Sequence, residues 1–138
     1  LALRMRAHEE GALKVAQFLA THPRVRKTVY PGLPSHPDHA LARRMLRNTG
    51  GMVSFNVASD AQALALLQRL HLMREATSLG GVETLISLPF NTSHAAFTAD
   101  QRARLGIEPG CVRLSVGIEH ADDLIADLDA ALNVLRDA

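Results

Sequence analysis

The run Cys111-Val112-Arg113-Leu114-Ser115-Val116 alternates apolar and polar side chains. A period of two marks a strand, because successive side chains leave opposite faces of a sheet. Val112, Leu114 and Val116 share one face. Arg113 and Ser115 share the other. Such a strand needs a sheet whose dry face is covered by the chain's own helices. The opposite face must meet solvent or another domain.

The rest of the chain supplies those helices and further strands. Leu1, Met5, His8, Ala12, Val15 and Leu19 recur at helical spacing, which predicts a helix over 2–20 with one apolar stripe. Gly11 in its middle costs about 1 kcal/mol relative to alanine and calls for either a close packing partner or tolerance from its neighbours. Pro23 closes the helix. Val25 to Tyr30 reads as a short strand, and the three prolines of 31–37 as an ordered loop. Ser35, with Asp38 three residues on, predicts a helix running to about Asn48, stopped by Gly50-Gly51. Met52 to Val57 is the next strand, with Val53, Phe55 and Val57 on one face. Ser59 to Gln62 has a capping-box pattern, opening a helix expected to bury Ala63, Leu64, Leu67 and Leu70.

Leu72 to Ala76 and Val82 to Ser87 are two further strands, the second expected at a sheet edge. Thr98 to Gln101 is a second capping box, before a short helix ending at Leu105. The last helix, Ala121 to about Arg136, should bury Leu124, Ile125, Leu128, Ala131, Leu132 and Leu135. Asp122 and Asp123 suit the positive end of its dipole. These elements predict a single α+β domain over 1–138, a sheet of four or five strands with helices on one face.

Composition narrows the function. A net charge of +1 gives no electrostatic footing for nucleic acid or an anionic membrane. No tryptophan and one tyrosine leave few platforms for base stacking. Seven histidines are scattered, and the closest pair, His36 and His39, lacks a zinc-type constellation, so no metal site is expected. Cys111 is the one cysteine; it fits a reducing, cytoplasmic setting and reads as a small buried hydrophobe. No apolar run approaches the roughly 18 residues of a membrane span. A chain beginning at Leu1 without a signal peptide is expected to be a piece of a longer protein.

Three features carry chemistry. The Arg113 guanidinium offers a planar fork for a carboxylate; its plain alternative is a surface arginine on the polar sheet face. Ser78-Leu79-Gly80-Gly81 permits close backbone approach and positive φ, or is an ordinary turn. Asn91-Thr92-Ser93-His94 either lines a pocket or caps its own backbone. A triad of Ser93, His94 and Glu119 is set aside, because adjacent residues rarely point at each other and no nucleophile elbow is present.

In chain order, several segments form a recognisable series: Y-P-G-L-P-S-H-P (30–37), G-G-M-V-S-F (50–55), S-L-G-G-V-E-T-L (78–85), S-H-A (93–95), L-G-I (105–107), V-R-L-S-V-G-I-E (112–119) and D-D-L-I-A-D-L (122–128). Together they resemble the C-terminal domain of the Cys/Met-metabolism family of pyridoxal-phosphate enzymes, which includes cystathionine γ-synthase, cystathionine γ-lyase, methionine γ-lyase and sulfhydrylases. The resemblance implies the small domain of fold-type-I enzymes, with a mainly antiparallel sheet. It implies a homotetrameric parent whose separate large domain carries the Schiff-base lysine and most contacts to pyridoxal 5'-phosphate. It also implies that Arg113 holds the α-carboxylate of a small amino-acid substrate, with Ser78, Leu79 and Ser93 beside it.

Thr77 stands where several cystathionine enzymes carry glutamate, and Gly11 where many members carry asparagine. The only lysines, Lys14 and Lys27, lie outside the family's lysine motif. The expectation is therefore the substrate-closing domain of a lyase or transferase of sulfur amino-acid metabolism, inactive alone because catalysis through this cofactor needs its lysine. The alternative is a non-catalytic amino-acid-binding or protein-interaction module derived from that domain.

Overall fold

A computed structural model of the protein describes residues 1–135. Its elements run α1 (Ala2–Thr21), β1 (Lys27–Val29), α2 (His39–Met45), β2 (Met52–Asn56), α3 (Asp60–Leu67), β3 (Arg74–Glu75), β4 (Leu85–Ser87), a 3-10 turn (Pro89–Asn91), α4 (Ala99–Arg104), β5 (Cys111–Ser115) and α5 (Ala121–Asn133). The strands form one sheet in the order β1-β2-β5-β4-β3. Every pairing is antiparallel except β3 with β4. The α+β class and the mainly antiparallel sheet agree with expectation.

Register places the two faces. Val53 stands opposite Leu114 and Phe55 opposite Val112. All four are buried and join Ala12, Val15 and Leu19 of α1 and Leu124, Leu128 and Leu132 of α5 in one core. Ser54 and Ser87 flank Arg113 from the two sides, on the other face. The helical layer is dense enough that a Cβ on Gly11 would sit 3.3 Å from Val116 Cγ1, the close partner this glycine calls for. His8 is buried in the same layer, with Nδ1 2.6 Å from the Val116 carbonyl.

Several expectations need correction. The stripe of α1 is fully buried only from His8 onward; Met5 is partly buried and Leu1 is exposed. The first strand is only three residues long. The second helix starts at His39, capped by Asp38 without a side-chain bond, and Ser35 is not its cap. In α3 the core positions are Ala63 and Leu66, whereas Leu64 is 40% exposed and Leu67 and Leu70 are only partly buried. Leucines at 64, 66 and 67 allow more than one stripe, and Gln62 joins the buried side, its Oε1 accepting from the Ala58 N–H. The strand expected at an edge, β4, is interior; the two-residue β3 pairs along its outer side. Ile125 is partly buried, and Arg136 lies outside the described residues. The capping box at Thr98 and Gln101 is present in both directions.

The open face is not bare. The Pro89–Ile107 segment passes over part of it, while the loop after β3 reaches back to β5. No described helix is long and apolar enough to cross a membrane.

Candidate functional site

Arg113 is presented by the middle of β5 and aims away from the core. Its Nη2 donates to the Thr77 carbonyl at 2.6 Å and to the Ser78 carbonyl at 3.1 Å. Two residues further along the same face, Ser115 Oγ accepts from the Gly80 N–H at 2.9 Å. The Thr77–Gly80 loop is thus pinned along the open side of β5. Gly80 has φ +74, a conformation that a side chain would strain, so a glycine is needed where the loop turns to meet Ser115. Leu85, Ser87 and Ser115 are buried although they belong to the face without helices.

Carbonyl oxygens orient a guanidinium without neutralising it. Among the described residues no carboxylate pairs with Arg113, and its Nε is buried with no hydrogen-bond partner. Burial of such a donor costs free energy. The arginine lines a cleft of about 300 Å³. Its floor is the open sheet face at Lys27, Val29, Ser54, Asn56 and Cys111; its wall is Pro89, Ser93, His94, Gly106 and Ile107. The other cation, Lys27, is balanced by Glu108 Oε1 at 3.2 Å. Arg113 therefore leaves the cleft with an unmatched positive charge, suited to a small anion or carboxylate. Cys111 has its thiol pushed above the ordinary value, chiefly by burial; Lys27 opposes this, and Asp60 and Glu108 add to it. It stays protonated at neutral pH, but it is only partly buried and lines the open cleft, not the core position expected of a small buried hydrophobe.

The predicted site residues separate. Ser93 and Arg113 meet at the cleft. Ser78 contributes its carbonyl to hold Arg113, and its side chain is exposed. Leu79 is 59% exposed and does not line the cleft. Of the triad set aside, Ser93 Oγ does lie 2.8 Å from His94 Nδ1, so these neighbours do point at each other. Glu119 is elsewhere, accepting from the Thr84 N–H and hydroxyl. Sequence reasoning missed Lys27, Ser54 and Cys111 as lining residues. The alternation of Met52, Ser54 and Asn56 put Ser54 on the polar face, but only the register sets it opposite Arg113.

Residues 1–133 match the family model described as Cys/Met metabolism PLP-dependent enzyme. The chain is 47% identical over 134 residues to cystathionine gamma-lyase of Dictyostelium discoideum, covering 96% of this chain and 35% of that protein. It is 49% identical over 134 residues to cystathionine gamma-synthase of Mycobacterium leprae, covering 96% of this chain and 34% of that protein. Among solved structures, cystathionine gamma synthase from Xanthomonas oryzae pv. oryzae in complex with aminoacrylate and cysteine superposes with a TM-score of 0.90 at 44% identity, over 96% of this chain and 34% of that one. The chain thus spans about a third of the length of the curated relatives it matches.

Proposed function

Because the chain belongs to the Cys/Met metabolism PLP-dependent enzyme family, we propose that residues 1–138 are the C-terminal, substrate-closing domain of such an enzyme. The parent acts on cystathionine, methionine, cysteine or an O-acyl-homoserine, by elimination or γ-replacement. It works in the cytoplasm as a homotetramer, with a large domain outside this sequence holding the cofactor.

One observation carries this reading: Arg113 is oriented by two carbonyls, has no carboxylate partner among the described residues, and lines a cleft. A substrate carboxylate supplies the missing charge. Ser93, on the same cleft, adds a hydroxyl contact. Val29, Pro89 and Ile107 displace water around the bound end of the substrate, which strengthens the ion pair.

Pyridoxal phosphate, when bound in the parent, supplies the electron sink for bond cleavage. The described residues of this chain do not fit it. Lys27 is engaged by Glu108, and Lys14 lines a different hollow, between α1 and residues 118–121. This domain therefore binds and orients the substrate, and no step of the chemistry is assigned to its lysines.

In the full-length enzyme, Arg113→Ala should raise KM about 30-fold and lower kcat/KM at least as far, as loss of hydrogen bonds to a charged group requires. Kinetics within twofold of the parent would remove the assignment.

A further inference from the structure

We propose that His94 is a positioning residue that sets the hydrogen-bond polarity of the Ser93 hydroxyl toward the ligand held by Arg113. This rests on the reading of the cleft as a carboxylate site.

The Ser93 Oγ to His94 Nδ1 distance is 2.8 Å, and either atom can donate, according to the imidazole tautomer. Both residues line the cleft that contains Arg113. The histidine is held firmly on its own side. Its N–H donates to the Pro89 carbonyl at 2.9 Å, its carbonyl accepts from Phe97 N–H at 3.1 Å, and its ring lies against Phe97 with centroids 5.5 Å apart. Arg102 Nη1 in turn holds the Phe97 carbonyl. Ser93 is exposed and, among the described residues, its hydroxyl has no other hydrogen-bond partner, so the imidazole orients it.

A hydroxyl has one proton and must spend it on one partner. If Ser93 donates to Nδ1, it offers only lone pairs to the cleft, and these repel a carboxylate. If Nδ1–H donates to Ser93, the hydroxyl proton is free for the ligand. A carboxylate on Arg113 therefore selects the second arrangement, and the imidazole lets Ser93 and Arg113 act on the same anion. Removal of the ring's donor returns the hydroxyl to solvent and weakens the second contact without touching the first.

The test is a set of variants of the full-length holoenzyme, with KM and kcat measured for the amino-acid substrate. His94→Phe keeps a ring against Phe97 but has no Nδ1, and should raise KM about fivefold, with kcat changed less than twofold. Ser93→Ala should do the same. The Ser93→Ala/His94→Phe double variant should be no worse than either single, because the two act as one unit. His94→Asn, whose amide can donate from near the Nδ1 position, should bring KM back within twofold of the parent. An unchanged KM in His94→Phe, singles that multiply in the double, or a failure of His94→Asn to rescue each overturn the proposal. Arg113→Ala, run alongside, separates the two claims. A large KM effect there with none at His94 refutes only the positioning role. No effect at Arg113 removes the carboxylate site on which the role depends.

Discussion

Arg113 shows how one residue can be placed by the sequence and explained only by the fold. Its alternation with Val112 and Leu114 put it on the polar face of a strand. Its orientation depends on the carbonyls of Thr77 and Ser78, and backbone carbonyls leave no mark in a sequence. The fork geometry matters as much as the charge, so Arg113→Lys in the full-length enzyme should recover less than a tenth of the parent kcat/KM; a fully active lysine variant would show that charge alone suffices. Two other residues make the fold sensitive to alkali. Burial raises the thiol of Cys111 from its ordinary 9.0 and the phenol of Tyr30 from its ordinary 10.0; for Tyr30 the Thr49 hydrogen bond opposes burial and Glu9 adds to it. Both are neutral when protonated, and the folded state keeps their protons to higher pH than the unfolded chain does. Their stabilising effect is present below about pH 9 and is lost as pH rises through the unfolded values towards the raised folded ones. Urea midpoints should fall above pH 9, and Tyr30→Phe should flatten the part of the fall above pH 10. A midpoint constant from pH 8 to 11 would contradict this.

At the scale of elements, strong periodicity was legible and competition between patterns was not. The helices α1 and α5 and the strands β2 and β5 each have one dominant apolar face, and each forms where its pattern predicts. The helix α3 does not have one. Leu66→Ala should cost about 3 kcal/mol, because its side chain is wholly buried. Leu64→Ala should stay within about 0.5 kcal/mol. Equal costs in chemical unfolding would restore the original stripe. The strand β4 misled for another reason: Leu85, Ile86 and Ser87 are all buried, so no alternation marks its faces. Its interior position follows from β3, which forms within the strand expected over 72–76 and pairs parallel along the outer side of β4, a pairing that leaves no mark in the sequence. The wall residue Ile107 is held by α4, its N–H donating to the Arg102 carbonyl at 2.9 Å, and both capping-box bonds of that helix at Thr98 and Gln101 form. Thr98→Ala should loosen that wall at a cost of about 1 kcal/mol, seen as faster amide exchange over 99–105 than in the parent.

At the scale of the molecule, the sheet explains why this chain reads as part of a site. One face is buried by its own helices, and the other offers a charged cleft without a lysine free to hold a cofactor. The isolated chain mixed with pyridoxal phosphate and reduced with borohydride should give no stoichiometric adduct at Lys14 or Lys27 by mass spectrometry; a defined adduct at either would assign cofactor chemistry to this domain. The central claim is that Arg113 grips the substrate's carboxylate. The most direct measurement is a crystal structure of the full-length enzyme with a bound amino-acid substrate analogue. The account predicts both carboxylate oxygens within about 3 Å of the Arg113 guanidinium. A carboxylate bound elsewhere, with Arg113 still held only by the carbonyls of Thr77 and Ser78, would contradict it.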